Sequence, residues 1–215
     1  LPIEQSGLNN IPDMKYTPEE MRAIGGFHCG YIKYYYHRNE MLAACQDERK
    51  TRGAVCLALE HKLLALYADP ATDTAPALLE KRGGAMYSTA AVRLIEALEN
   101  DTGAMHVVNV QNRGMLPMLH PEDVAEIRCR ITRDGAEPLP LRSTASEHIT
   151  GLMQAVKAYE RLAARAAFSG RYQDALAAAL SPPLAGDFRR TKTVLDALLE
   201  AHRTHLKSSF FEGRE

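Results

Sequence analysis

The sequence predicts an α+β fold in which helices dominate and pack on a small, mostly antiparallel sheet. Three observations carry this reading. Apolar residues recur at three- and four-residue spacing through the early and late stretches, the mark of amphipathic helices. The middle switches to strict alternation, the mark of half-buried strands. The balance of 46% hydrophobic and 25% charged residues over 215 positions is globular and large enough for one sizeable core or two small ones.

Thr17-Pro18-Glu19-Glu20 reads as a helix start. Thr17 can accept at the N-cap, Pro18 suits the first helical position, and Glu20 sits where a capping box places its carboxylate. Gly25-Gly26 closes this short helix. A second helix is expected from about Tyr31 to Cys45, with Tyr31, Tyr34, Tyr35, Arg38 and Leu42 on one face. A third, around Ala54 to Tyr67, aligns Val55, Leu59, Leu63 and Leu66. Pro70 and Pro76 punctuate the following loop, and Gly83-Gly84 breaks the chain before a helix near Tyr87 to Leu98.

Met105 to Val110 alternates as a strand, with Val108 and Val110 on one face. Val124 to Thr132 sets Ala125, Ile127, Cys129 and Ile131 against Glu126, Arg128 and Arg130. Asp134-Gly135 is a turn dipeptide, after which Glu137 to Leu141 is expected to return as an edge strand, where prolines are tolerated. The last third is helical. Ile149, Leu152, Met153, Val156, Tyr159, Leu162 and Ala163 form one stripe. Ala175, Leu176, Ala179 and Leu180 form a second, ended by Pro182-Pro183, and Val194, Leu195, Leu198 and Leu199 form a third running toward His205. The alanines imply close helix packing.

Net charge of −1 and a pI near 6.8 give no general basic field, so nucleic acid is not an expected partner. No apolar run approaches a bilayer span, and no membrane partner is expected. Cys29, Cys45, Cys56 and Cys129 lie without a CxxC pair, as reduced thiols of a cytoplasmic protein would. The opening "LPIEQSGLNNIPDMKY" has no initiator Met and reads as a loop following something else, as in a portion of a longer enzyme.

Candidate chemistry is sparse. His202 and His205 stand at i, i+3, a spacing that suits either a metal or the negative end of a helix, with no third ligand nearby. His28 and Cys29 are adjacent, which points their side chains apart. Gly83-Gly84 after Glu80-Lys81-Arg82 fits helix termination or a phosphate cradle. Asn109 to Gly114 leaves a strand with polar residues, as a turn or a site edge. No GxGxxG occurs. Tyr31, Tyr34, Tyr35 and Tyr36 place four of nine tyrosines within six positions. A phenol with a reference pKa of about 10 becomes a base at neutral pH only beside strong positive charge. Lys33, His37 and Arg38 are close in sequence. On these residues alone, a packed amphipathic helix and a site of proton transfer both remain open.

Five segments in order, GYIKYYYHRNEML, TRGAVCLALEHKLLALYADP, LEKRGGAMYSTAAVRLIEAL, VVNVQNRGMLPMLHPEDVAEI and YERLAARAAFSGRYQDALAAALSPPLAGD, resemble the C-terminal portion of family four glycoside hydrolases. The resemblance is nearest to the 6-phospho-β-glucosidases and runs from about Asn10 to Phe211. It implies a helix-rich C-terminal domain of the lactate/malate dehydrogenase type, with the N-terminal Rossmann domain absent from this chain. Residues 1–215 would then be one substrate-binding and oligomerisation domain, with 1–16 a linker or loop from the nucleotide-binding domain.

The implied reaction is the NAD-dependent exception to two-carboxylate glycoside hydrolysis. NAD takes a hydride from C3 of the sugar, and a divalent metal, usually manganese (Mn2+), stabilises the enediolate at the acidified C2. A tyrosine removes the C2 proton, the aglycone leaves C1, water adds and the hydride returns. The family's YxxYYY pattern maps that base to Tyr31, with Tyr34 and Tyr35 in reserve. Arg52, in TRGAVC, maps to the arginine that grips the sugar phosphate, which a planar charged fork suits. Lys81, Arg82, Asn109 and Asn112 fall within matching segments without an assigned role.

The family's metal-binding Cys-Asn-x-Pro and Gly-Leu-Asn-His runs are absent; Gly7-Leu8-Asn9 is followed by Asn10. No cofactor or metal residue is therefore carried over, and this chain alone is expected to lack turnover. Implied partners are a phosphorylated disaccharide or aryl glycoside and a second copy in a homodimer or homotetramer. The alternatives are a sister activity on α-linked phospho-glucosides or on unphosphorylated galactosides or glucuronides, and a stand-alone oligomerisation or sugar-phosphate binding module.

Overall fold

The computed structural model describes residues 16–26, 30–46, 51–82, 87–141 and 143–212. In chain order the helices are α1 (Pro18–Ile24), α2 (Lys33–Tyr36), α3 (Arg38–Cys45), α4 (Arg52–Tyr67), α5 (Leu79–Arg82), α6 (Tyr87–Glu99), α7 (Glu147–Ser169), α8 (Tyr172–Leu180) and α9 (Phe188–Ala201). Strands β1 (Met105–Gln111), β2 (Val124–Thr132) and β3 (Gly135–Pro138) lie between α6 and α7 in sequence. The chain parts into two compact units. One takes Leu1–Thr17, Phe27–His106 and Arg130–Glu137, the other Pro18–Gly26, Val107–Cys129 and Pro138–Glu215. The readings made on the opening segment through residue 15, on His28 and Cys29, and on Gly83-Gly84 lie outside the described residues.

In the first unit the expected helix from Tyr31 to Cys45 is broken. A 3-10 turn at Gly30–Ile32 leads into the single turn of α2, and His37 leaves the helical basin (φ −115°, ψ 39°) before α3 begins. The His37 ring instead meets Tyr16, centroid to centroid at 5.9 Å. The reason is visible in the residues: the expected face consists of phenols, an arginine and one leucine, Leu42, which stays 49% exposed, so little apolar burial holds one long helix together. Helix α4 is better defined. Thr51 caps it, its hydroxyl accepting from the Ala54 N–H at 3.3 Å. Of the expected stripe, Leu63 is buried but Val55 and Leu66 are exposed. After α6, Asp101 adopts a positive φ of 51°, and its carboxylate accepts from the Arg133 N–H at 2.9 Å.

The sheet has the order β1-β2-β3. The Ile131 N–H donates to Ala104 O at 2.8 Å, while the Asn112 N–H donates to Asp123 O at 2.7 Å, so β1 and β2 run antiparallel. Ala125, Ile127, Cys129 and Ile131 are all buried, as the alternation requires. The return strand is shorter and earlier than expected, ending at Pro138 rather than Leu141. One further bond, Leu139 N–H to Arg128 O at 2.9 Å, follows; Pro140 then has no N–H with which to extend the ladder.

The second unit is built on α7, α8 and α9. Ala166, Tyr172, Ala175, Leu176, Leu199 and Phe210 form its core, with Leu180, Leu195, Leu206 and Phe211 packed against it. Ser146 joins two helices: its hydroxyl donates to Ile24 O at 2.6 Å and accepts from the Ile149 N–H at 3.3 Å, ending α1 and capping α7. The approach requires Gly25, where φ is +86° and a Cβ would stand 2.5 Å from the Ser146 Cβ. Helix α7 stops at left-handed Gly170, and the Lys207 ammonium donates to the freed Phe168 carbonyl at 2.7 Å. In α9, Leu199 is buried and Leu195 packs on the core, but Val194 and Leu198 remain exposed. No helix among the described residues is long and apolar enough to cross a membrane.

Candidate functional site

The 3-10 turn and α2 carry the tyrosine cluster. Tyr31 is 59% exposed, Tyr34 and Tyr36 are exposed, and Tyr35 is half-buried. The ring at position 31 is thus open to solvent rather than sealed in the apolar interior. Lys33 reverses the usual order, being only 2% exposed amid these phenols. Its ammonium lies 5.4 Å from the Tyr34 ring centroid, a cation–π distance. His37 directs Nδ1 toward the Glu40 carboxylate at 3.5 Å.

Tyr172 provides the contrast. It is buried, and its hydroxyl donates to Asp196 Oδ1 at 2.7 Å, while the Lys192 ammonium binds Asp196 Oδ2 at 2.8 Å. Burial and the bond to Asp196 push the Tyr172 phenol above its ordinary range. It is held protonated and serves packing, not proton uptake.

Arg52 opens the first turn of α4, placed there by the Thr51 cap. Its Nη2 donates to the carbonyl oxygen of Arg82 at 2.7 Å, directed to that carbonyl rather than to a tyrosine. The contact brings Arg52 to the end of α5, where Lys81 and Arg82 add two exposed cations. Two of the matching segments are thereby joined in the first unit, and their three basic residues are of a kind suited to an anion.

In the second unit, the stretch from 112 to 123 is organised by Asn112, which is fully buried. Its amide donates to the carbonyls of Leu116, Leu119 and His120 at 3.0, 3.2 and 3.2 Å, and its Oδ1 accepts from the Leu116 N–H at 2.7 Å. Arg113 and Gly114 take positive φ within this turn. Asn112 is thus the shaper of the turn, and Asn109 is exposed on β1. Asp123 closes the loop, accepting from the His120 N–H at 3.0 Å and from Arg161 Nη1 at 2.6 and 2.7 Å. Burial alone would push the Asp123 carboxyl up; the Arg161 and His120 bonds outweigh it and hold it below the usual carboxylate range. This pair was not among the residues expected from the sequence. Its signal was there: Asp123 stands in the inward register of Ala125, Ile127 and Cys129, where an acid needs a buried partner.

A cleft of about 730 Å³ adjoins this loop, lined by residues including Met115, Pro117, Met118, Pro140 and Thr150. Among the described residues its lining is mostly apolar, a surface suited to binding.

Residues 3–185 match the Family 4 glycosyl hydrolase C-terminal domain. The chain belongs to this family. It is 37% identical over 207 residues to a Bacillus subtilis protein named "Probable 6-phospho-beta-glucosidase", a match covering 94% of the chain and 46% of the relative. The 6-phospho-beta glucosidase from Thermotoga maritima, solved with NAD and glucose-6-phosphate, aligns with a TM-score of 0.80 at 31% identity over 90% of this chain and 46% of that one. The same enzyme solved with manganese, NAD+ and glucose-6-phosphate aligns at 0.79, with 32% identity over 92% and 47%. The chain spans about half the length of the relatives it matches. The helix-rich architecture with a small antiparallel sheet expected from the sequence is the family's C-terminal fold.

Among the described residues, no three His, Cys, Asp or Glu side chains gather as a metal centre would need, and His202 and His205 find no third partner of this kind. The described residues do not fit a metal ion, and the sequence carries no glycine-rich dinucleotide loop.

Proposed function

We propose that this chain is the C-terminal, substrate-side half of an enzyme that hydrolyses 6-phospho-β-glucosides. In this reading residues 1–215 act as one substrate-binding and oligomerisation part, joined through residues 1–16 to a nucleotide-binding half that holds most of the NAD and metal contacts. The relatives named as 6-phospho-β-glucosidases, and the NAD, manganese and glucose-6-phosphate in their solved structures, support the substrate and cofactor class.

The chain's own residues take two roles. Tyr31, exposed on its 3-10 turn, accepts the proton leaving the sugar carbon. Arg52 binds the sugar phosphate, with Lys81 and Arg82 adding positive charge at the end of α5. Tyr34 and Tyr35 are the alternative bases. The observation that carries this reading is the exposure of Tyr31 in a chain whose segments match the family in order. The working enzyme is a cytoplasmic homodimer or homotetramer.

The test is a panel of aryl glucosides, α- and β-linked, with and without the 6-phosphate, offered to the whole enzyme with NAD and manganese. Turnover restricted to the phosphorylated β-glucoside supports the reading. Preference for the α-linked or unphosphorylated member transfers the chain to a sister activity, and sugar-phosphate binding without any turnover marks a non-catalytic module.

A further inference from the structure

Helix α4 carries more apolar surface than its own unit uses. Its inward side holds Leu63, which is buried, with Cys56 and Leu59 half-buried beside it. Gly53, Leu57, Glu60, His61, Leu64 and Ala68 recur at the spacing of a second helix face, and every one of them is exposed. Leu57 is 54% exposed and Leu64 is 59% exposed. A helix that is apolar on more than one side belongs in an interior, and here one such side is left open to solvent.

This outward face reads the same from either end. Small residues, Gly53 and Ala68, stand at its ends, Leu57 and Leu64 lie within, and Glu60 and His61 form a polar pair at its centre. A second α4 laid antiparallel across it, about a two-fold axis between residues 60 and 61, matches every position. Leu57 of each copy meets Leu64 of the other, Glu60 meets His61, and Gly53 meets Ala68. A Cβ at Gly53 would meet nothing within 4 Å, so that end is open to close approach. An imidazole N–H donates to a carboxylate whether or not the ring is charged, so the central pair is complementary in either state of His61. A partner of unrelated sequence would call for no such symmetry, whereas a copy of the same helix requires it.

We infer that the outward face of α4 is the seam on which a second copy of this chain docks, the two α4 helices crossing antiparallel about a two-fold axis between Glu60 and His61. The inference rests on the reading of the working enzyme as a homo-oligomer and names the contact that makes it one. Neither Tyr31 nor Arg52 belongs to the face, so substitutions within it leave the proposed base and phosphate grip in place.

The test is a charge reversal followed by an exchange, read by sedimentation velocity of the whole enzyme across a concentration series. His61→Glu sets carboxylates against each other at both symmetry-related contacts. The subunit dissociation constant is expected to rise by about tenfold or more, the scale of like charges brought face to face. Glu60→His combined with His61→Glu exchanges the two residues and restores an acid opposite an imidazole in the same register. That double variant is expected to return to within about threefold of wild type. Leu64→Asp, at an exposed position, removes the leucine contact twice over and is expected to weaken association by about a hundredfold. Unchanged association in His61→Glu and Leu64→Asp, or a loss that the exchange leaves unrestored, overturns the inference. A lower melting temperature with unchanged association assigns the face to the nucleotide-binding half and overturns it equally. Hydrolysis of the phosphorylated β-glucoside, measured alongside, separates the two levels. Turnover in an oligomer that ignores these substitutions removes only the seam. Association that follows them without turnover removes the proposed reaction and leaves the seam. A whole enzyme that is monomeric at micromolar concentration removes the homo-oligomer reading and the seam together.

Discussion

Arg52 and Arg82 stand thirty residues apart in sequence, yet the guanidinium of the first donates to the carbonyl of the second at 2.7 Å. One donor of a five-donor fork is used this way, and the rest of the group is available to an anion. Replacing Arg52 with Ala is expected to weaken the 6-phosphorylated aryl glucoside by about tenfold to a hundredfold, the scale of a charged hydrogen bond. The unphosphorylated counterpart should lose far less. The comparison of kcat/KM for the two substrates checks this, and equal losses would contradict the phosphate role.

Asn112 satisfies three carbonyls and one N–H from a single buried side chain. Asn112→Ala leaves these groups without that partner, those of Leu116 and Leu119 in a buried place. A loss of roughly 2–4 kcal/mol in unfolding free energy is expected. Urea denaturation measures it. A loss below about 0.5 kcal/mol, the range of a neutral surface change, would show that the turn holds without its amide.

The Asp123–Arg161 pair gives stability a pH dependence. The Asp123 carboxyl is depressed in the folded chain relative to its ordinary value of 3.8. A depressed acid contributes stability that is full above its unfolded value and is lost as pH falls through the folded one. Its contribution is therefore complete at neutral pH and disappears on acidification below about 4. Asp123→Asn should cost roughly 2 kcal/mol at pH 7, less than a fully buried pair because Arg161 is half-exposed. Melting curves of both proteins across the acid range should converge as pH drops; a constant gap would refute the linkage.

Strand β2 was readable to the residue. Its inward positions are all apolar, its central outward ones Glu126, Arg128 and Arg130 are charged, and period two leaves no second register. Helix α4 was readable in extent but not in orientation, because Val55, Leu57, Leu59, Leu63, Leu64 and Leu66 surround much of its circumference, so spacing cannot choose a face. The kink at His37 was hidden because three-four spacing treats Tyr and Arg as though they supplied apolar burial. Lys33 was hidden for the opposite reason: a lysine in sequence is read as solvated, and only tertiary surroundings bury it. Tyr31 and Arg52 are singled out by family resemblance alone and stand as proposals, since neither periodicity nor spacing marks one tyrosine of the cluster above another.

The most direct measurement is turnover by the Tyr31→Phe whole enzyme, with sugar-phosphate binding followed in the same preparation. Removing one hydroxyl from an exposed ring leaves packing almost intact, so binding should persist. With proton removal lost, kcat should fall by about a hundredfold or more. Wild-type turnover would contradict the assignment of the base at position 31, whatever the family to which the chain belongs.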